Sequence, residues 1–259
     1  MGTRITAKGV DAEAYATEMG VPVRTGIRGI FLLNTNKDKI VWNYAPGSAG
    51  KGSIFGNPVV TPQYTETDGL MGGDPRYVDT GVIETNAFTY FYIAKIDPTA
   101  PGFAAPGVSQ PSELRSMFVS NYGPPSMGYG VGLYVSRGNA VACTLGTADG
   151  GGNVQSSTQH LVVDFTKYLI VSCKYDLAAR SFTLKNHISG AVIVMPTADG
   201  FTRATTGRTM RIGAANTDGY GGKAHMVAVQ LHDVALSDSD IDKNAAFLKA
   251  YAQRKGIAF

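Results

Sequence analysis

Short apolar segments, each soon ended by Gly, Pro, Asn or Asp, follow one another along most of this chain. Glycine is abundant, with 32 residues, and the 12 prolines are spread along the chain instead of forming one block. The pattern predicts strands without intervening helices, which excludes a βαβ architecture. The predicted strands are residues 27–33, 40–44, 78–83, 88–96, 116–121, 130–136, 140–145, 160–164, 167–175, 181–186, 191–194, 210–214 and 223–231.

Two of these segments indicate how the sheets are buried. In residues 181–186, Phe182 and Leu184 alternate with polar neighbours, as in a strand with one buried and one solvent-facing side. Residues 88–96 are apolar on both faces at nearly every position, which predicts a central strand. Four prolines confine residues 97–111 to a long loop. We therefore predict an all-β fold, a two-layer antiparallel β-sandwich.

The two ends of the chain differ from its middle. Residues 1–25 are polar and Ala-rich, and we interpret them as an N-terminal arm with a short helix over 11–19. Residues 26–236 form one sandwich domain, because all-β sandwiches of this length commonly fold as a single unit. Residues 237–259 predict a C-terminal helix packed on the sandwich and capped by Ser237. Its apolar positions recur on one face, at Ile241, Ala245, Leu248 and Ala252.

Composition excludes several function classes. Charged residues make up 17% of the chain, the net charge is +3, and the basic residues form no run, so we expect no nucleic-acid partner. No segment approaches the roughly 20 apolar residues of a membrane span, and no signal-peptide pattern begins the chain, so we expect no membrane insertion and synthesis in a bacterial cytoplasm. Cys143 and Cys173 are interpreted as buried free thiols, with a disulfide as the alternative.

Three segments, in this order, resemble the signature of the concanavalin A-like lectin and laminin G-like superfamily. The first is Y-V-D-T-G at 77–81 with the strand at 88–95, the second is the hairpin at 168–190, and the third is 210–241. The third, which ends in V-A-L-S-D-S-D-I, is the most specific, whereas the first 63 residues match nothing in the family. The resemblance implies a jelly-roll, lectin-like sandwich that binds a surface.

A lectin-like sandwich with a polar arm and a helical tail also resembles proteins encoded in tailed-phage structural gene clusters. This resemblance implies a non-catalytic structural or binding protein of the virion, namely a tail-fibre, baseplate or head-decoration component. Its partner would be a host glycan or another virion protein. We expect a homo-oligomer, because weak binding of carbohydrate at single sites gains from multivalency.

Loop residues supply the candidate carbohydrate site. Tyrosines in Gly-rich loops can stack on sugar rings, and asparagine side chains can bond to sugar hydroxyls. The candidates are Tyr122, Tyr129, Tyr220, Asn121, Asn153 and Asn216. The alternative is that these tyrosines cover the sandwich edge, since tyrosine commonly packs half-buried.

Catalysis and metal binding have weaker support. No cofactor is expected, but calcium stays open, with Asp74, Asp79 and Asp218 as oxygen donors, although Asp beside Gly or Pro is typical of turns. The rival function is a polysaccharide-degrading glycoside hydrolase, which needs two carboxylates about 5 Å apart for a retaining mechanism. Glu66 and Asp68 come nearest and are interpreted as part of a turn, so no catalytic residue is predicted.

Overall fold

The computed structural model describes residues 16–35, 37–48, 52–55, 64–65, 68–73 and 76–259. The strands are β1 (Ile27–Leu32), β2 (Ser53–Phe55), β3 (Tyr64–Thr65), β4 (Gly69–Gly72), β5 (Tyr77–Ile83), β6 (Phe88–Lys95), β7 (Met117–Ser120), β8 (Val131–Arg137), β9 (Ala140–Asp149), β10 (Val154–Val162), β11 (Leu169–Asp176), β12 (Ser181–Asn186), β13 (Val192–Pro196), β14 (Phe201–Arg203), β15 (Thr209–Ile212) and β16 (Ala224–His232). The helix α1 spans Asp238–Arg254, and short 3-10 turns lie at Lys37–Lys39, Ser112–Leu114 and Pro125–Met127.

The strands form two antiparallel sheets that pack face to face. The first sheet has the order β13-β12-β11-β6-β16-β4-β3, with β1 also paired to β16. The second has the order β10-β9-β8-β7-β15-β5-β2, with β14 also paired to β9. Side chains from both sheets share one apolar cluster. The predicted all-β, two-layer antiparallel sandwich with a C-terminal helix is confirmed.

The position of strand β6 explains why its sequence is apolar on both faces. It lies between β11 and β16 at the centre of the first sheet, as predicted. Tyr90 and Tyr92 point into the cluster between the sheets, where Tyr92 stacks on Phe118 with ring centroids 4.5 Å apart. Phe91 and Ile93 point to the other side, into a second cluster that includes α1. A strand buried on both faces carries no polar alternation.

Helix α1 covers the outer face of the first sheet. Ser237 caps it, with Oγ accepting a bond of 3.2 Å from the amide of Asp240. Leu248 and Tyr251 are buried against the sheet, and the Tyr251 hydroxyl donates to Asn34 Oδ1 at 2.6 Å. Within the described ranges, no helix has the length and apolarity needed to cross a membrane.

The described end of the N-terminal arm, residues 16–25, lies against the sandwich. The amide of Met19 donates to the Tyr44 carbonyl at 2.8 Å. The helix predicted over 11–19 is wrong over its described residues, which are bends and coil because this amide bonds to another segment. The other residues of that prediction, 11–15, lie outside the described residues.

The strand predicted over residues 40–44 is also wrong. That segment carries only an isolated bridge, and it runs beside β1 as coil. The side chain of Asn43 replaces a strand partner there, because its Oδ1 accepts from the amides of Ile30 and Ala45, each at 3.0 Å. A side-chain amide that satisfies backbone groups removes the need for a ladder.

The sequence pattern did not predict four short strands, β2, β3, β4 and β14. The strand predicted at residues 160–164 begins earlier in the structure, as β10. Strand β10 is an edge strand with the sequence V-Q-S-S-T-Q-H-L-V, in which polar residues hide any apolar alternation. It nevertheless pairs with β9 along its whole length, from Val154 opposite Ala148 to Val162 opposite Ala140. Here the partner strand, not an apolar pattern, decides the conformation.

The two cysteines face each other between the sheets. Cys143 on β9 and Cys173 on β11 are fully buried, and their Sγ atoms lie 3.3 Å apart. Both are free, so the interpretation as buried thiols is confirmed. Burial, with Cys143 alongside, raises the pKa of the Cys173 thiol. The Cys173 thiol is therefore protonated and poorly nucleophilic in the folded protein.

Acid should weaken the contact between α1 and the first sheet through His187. This side chain bonds to Ser172 Oγ at 2.9 Å and lies 3.6 Å from Asp242 of α1. Burial, helped by Lys185, lowers the pKa of His187 to about 4. The unfolded chain takes up the proton near pH 6.5 and the folded protein does not, so this stability is present above pH 6.5 and lost as the pH falls towards 4.

We expect the free energy of unfolding to fall by about 2 kcal/mol between pH 7 and pH 5 from this group, measured by urea denaturation. The His187→Gln variant keeps a polar side chain at the position and should show a shallower pH dependence. Equal pH dependence in the variant and the parent protein would contradict this assignment.

Candidate ligand-binding site

The three predicted tyrosines lie together on the outer face of the second sheet. Tyr122 contacts Tyr129 and Tyr220, with ring centroids 6.0 and 5.9 Å apart. Tyr134 of β8, which the sequence analysis did not select, completes the group at 5.3 Å from Tyr220. We call these four residues the tyrosine cluster. Alternation along β8 was the available signal, because Tyr134 falls between two buried residues that point inwards.

The members of the tyrosine cluster differ in exposure. Tyr122, Tyr129 and Tyr134 are half-buried, whereas Tyr220 is only 8% exposed and packs with Met117 beneath the others. Burial is the main reason that the pKa of each of the phenols of Tyr122 and Tyr220 is raised. Both hydroxyls stay protonated at neutral pH and can donate as well as accept.

Tyr129 has a backbone conformation that is rare for an aromatic residue. Its φ is 51°, and it lies between Gly128 and Gly130, whose φ values are 81° and 77°. Non-glycine residues in this left-handed region are uncommon, and bulky ones are outliers that the surrounding structure must hold in place. The Tyr129 carbonyl is held by the amide of Gly123 at 2.8 Å. The chain therefore places a ring beside Tyr122 at a cost in backbone strain.

A buried polar network fixes the loop that carries these rings. Asn121 accepts from the amide of Val131 at 2.7 Å through Oδ1 and donates to Thr206 Oγ1 at 3.1 Å through Nδ2. The Thr206 hydroxyl donates in turn to Glu84, which is paired with Arg203. Both side chains of that ion pair are 0% exposed. The network links the loop at Asn121 to two strands of the second sheet.

The structure corrects the role predicted for Asn121, because its side chain is 0% exposed and its amide is used internally. Asn216 does lie beside the tyrosine cluster, and its backbone N–H donates to the Tyr122 carbonyl at 2.7 Å. Its Nδ2 has no hydrogen-bond partner among the described residues. Asn153 lies in the β9–β10 turn, where Nδ2 donates to Asp149 at 2.7 Å, and no described contact joins it to the cluster.

The aspartates considered for calcium do not gather into a site in the part of the chain that the structure describes. Asp79 lies on β5, where its carboxylate accepts from Thr209 Oγ1 at 2.9 Å and from the Gly81 amide at 3.0 Å. Asp218 is exposed in the loop between β15 and β16, and Asp74 lies outside the described residues. Across those residues, no group of three or more His, Cys, Asp or Glu side chains is arranged to hold a metal ion.

Of the two carboxylates considered for hydrolysis, only Asp68 lies among the described residues, so no acid/base pair is seen there. Glu66 lies outside the described residues. Asp68 forms a turn, in which its amide donates to Thr65 Oγ1 at 2.7 Å. Its carboxylate accepts from the Tyr168 hydroxyl at 2.6 Å. Asp68 is therefore engaged in holding neighbouring segments together.

A concave surface that the sequence analysis missed lies where β6 runs into the loop of residues 97–111. Two adjoining pockets of about 480 and 440 Å³ share Ile96, Asp97 and His225. We call them together the end cleft. The length and the proline content of the 97–111 loop were the available signals, since long ordered loops often line binding sites.

Comparison with known proteins finds similarity at the level of the fold. No protein-family model and no curated protein matches this chain. Among solved structures, the binding domain of botulinum neurotoxin DC in complex with SialylT aligns over 87% of this chain and 52% of its own, with a TM-score of 0.58 and 12% identity. The binding domain of serotype D aligns over the same shares, with a TM-score of 0.57 and 11% identity.

A third structure concerns botulinum neurotoxin type C, whose cell entry depends on interaction with two ganglioside molecules. It aligns over 86% of this chain and 51% of its own. Its TM-score is 0.57 and its identity 10%. The chain thus spans about half the length of these solved structures. At such identities the shared property is the sandwich fold.

Removal of the Asn121 side chain should destabilise the protein. In Asn121→Ala the buried amide of Val131 loses its partner, and Thr206 Oγ1 loses one of its bonds but keeps the one to Glu84. A buried polar group without a partner costs about 1–3 kcal/mol. We expect a loss of about 2 kcal/mol in guanidinium unfolding. The matched control is Asn153→Ala at the exposed turn, with an expected change within about 0.5 kcal/mol. Equal effects of the two substitutions would contradict the positioning role.

Proposed function

We propose that this protein is a non-catalytic glycan-binding module and that the tyrosine cluster is its contact surface. The observation that carries the proposal is the left-handed backbone of Tyr129, with φ of 51°, which holds an aromatic ring at the edge of an aromatic group. Backbone strain of this kind concentrates at functional sites, because packing alone rarely requires it.

The chemistry of the tyrosine cluster suits a sugar. Half-buried rings offer apolar area to the CH face of a pyranose, while the protonated hydroxyl of Tyr122 can bond to sugar hydroxyls. Asn216 lies beside Tyr122 through its backbone amide, and its Nδ2 is buried without a described partner. An apolar surface with a few convergent polar groups is the usual composition of a small-molecule site.

The similar folds support a binding role by analogy. Two of the solved structures described above are binding domains, one of them in complex with SialylT, and the third concerns a neurotoxin whose cell entry depends on interaction with two ganglioside molecules. A fold shared at about a tenth identity hosts many functions, so it adds support and does not select the sugar. The cluster geometry remains the main argument.

The hydrolase alternative finds no support in the acid that the polar network joins to the tyrosine cluster. A glycosidase needs one carboxylic acid that can protonate the leaving oxygen. Glu84, the acid linked to the cluster through Thr206, is fully buried and paired with Arg203. It cannot reach a bound polysaccharide, so we propose binding without bond cleavage.

The virion location and the homo-oligomer stay predictions from the sequence resemblance. We propose that the module is displayed in several copies on a tailed-phage particle, as a tail-fibre, baseplate or head-decoration component. Several weak sugar contacts on one particle raise the overall avidity by orders of magnitude without any new contact. Immunogold labelling of intact particles, which would mark the tail or the head, tests this location.

Replacement of Tyr129 by glycine should remove binding without unfolding the protein. Glycine adopts the φ of 51° without strain, so Tyr129→Gly deletes the ring and relaxes the backbone. We expect glycan affinity to fall at least about tenfold, measured on a glycan array and by titration of the best ligand. The melting temperature should stay close to that of the parent protein.

The matched control is Arg180→Gly, because Arg180 is the other described non-glycine residue with positive φ, at 49°. It lies in the β11–β12 turn, in the first sheet. We expect Arg180→Gly to bind the same glycans as the parent protein. Unchanged affinity in Tyr129→Gly would remove the tyrosine cluster from the site.

A further inference from the structure

The end cleft is a concave surface that glycan contact at the tyrosine cluster does not use. Its two pockets, of about 480 and 440 Å³, lie on either side of Ile96, Asp97 and His225, which line both. Volumes of this order hold small organic ligands. The shared residues make the pockets one continuous cleft, with His225 at the junction.

An apolar surface lines the larger pocket. Met71, Ile96, Phe103 and Leu114 contribute to it. Ile96 is buried, and Phe103 is held edge-to-face against Phe165 with ring centroids 5.9 Å apart. A packed aromatic ring of this kind loses little conformational entropy on binding a ligand.

Carboxylates line the rim of both pockets. Asp97 and Glu113 face the larger pocket, and Asp68 and Asp97 face the smaller one. Asp97 Oδ1 accepts from the Thr99 hydroxyl at 2.6 Å and from the Thr99 amide at 2.9 Å, and these bonds lower the pKa of the carboxyl. Asp97 is therefore ionised at neutral pH, with Oδ2 directed to no described partner. An ionised oxygen of this kind accepts strongly from a ligand O–H group.

His225 adds a group that can either donate or accept. Its Nδ1 is buried and has no hydrogen-bond partner among the described residues. Burial is the main reason that the pKa of His225 is lowered, and Lys95 lowers it further, against the opposing effects of Asp68 and Asp97. The ring is neutral at neutral pH, with one nitrogen protonated and the other free to accept.

We propose that the end cleft binds a short neutral oligosaccharide, at a site separate from the tyrosine cluster. The CH face of a sugar ring lies on Phe103 and its apolar neighbours, and vicinal hydroxyls donate to Asp97 and Glu113. The lining of the two pockets holds three acidic residues and two lysines, Lys95 and Lys223, so it gives an anionic ligand no net positive charge to bind. A wholly apolar ligand leaves the buried Nδ1 of His225 without a partner.

The test is titration calorimetry of the full chain with three neutral trisaccharides, namely cellotriose, maltotriose and N-acetylated chitotriose. We expect at least one to bind the parent protein. The double variant Asp97→Asn, Glu113→Gln should weaken that binding about tenfold, because it replaces charge-assisted bonds by neutral ones. Both carboxylates are exposed, so the substitutions leave the core unchanged.

Asp164→Asn is the matched control. Asp164 accepts from the amide and the hydroxyl of Thr166, at 3.0 and 2.6 Å, just as Asp97 does from Thr99. Asp164 lines another pocket and not the end cleft. The affinity of the Asp164→Asn variant for the trisaccharide should therefore equal that of the parent protein. Absence of binding by all three sugars, or equal binding by the double variant, overturns the proposal.

Tyr129→Gly separates this proposal from the proposed function. If trisaccharide binding is lost in Tyr129→Gly and retained in the double variant, the end cleft is not the site and the tyrosine cluster is. If it is lost in the double variant and retained in Tyr129→Gly, the end cleft is supported whatever the fate of the tyrosine cluster. A loss in both variants, with two sites in the parent titration, supports both surfaces.

Discussion

The two-sided burial of β6 is the constraint on which the rest of the fold depends. One face of this strand meets the second sheet, and the other meets α1, so the molecule has three layers around a single strand. The apolar side chains of β6 on the outer face of the first sheet are covered by α1. Among the residues that the structure describes, no α-helix lies over the outer face of the second sheet. The tyrosine cluster occupies that face.

Much of the fold could be predicted from the sequence because burial leaves a pattern. The alternation of Phe182 and Leu184 and the apolar run of β6 both reflect sheet faces, and the prediction of two antiparallel layers is confirmed. Segments that use other partners left no such pattern. Asn43 satisfies backbone amides with its side chain, and β10 is polar because it is an edge strand.

The candidate site was predictable only in part, for a related reason. Tyr122, Tyr129 and Tyr220 are recognisable as aromatic residues in Gly-rich loops, and the structure does bring them together. Sequence reasoning cannot tell whether an asparagine in such a loop faces solvent or the interior, and Asn121 faces the interior. The end cleft depends on residues far apart in the chain, such as Asp97 and His225, whose proximity follows from strand order alone.

The cysteine pair gives the sandwich a dependence on its redox surroundings. Two sulfur atoms 3.3 Å apart lie about 1.3 Å beyond the length of a disulfide bond, and the loss of two electrons and two protons to an oxidant would join the layers covalently. That crosslink would close a loop of 30 residues and restrict the unfolded chain, worth about 4 kcal/mol in the chain-entropy account. With the thiols reduced, non-covalent packing alone holds the layers together. Oxidation of the pair would therefore give the same fold a second, higher stability.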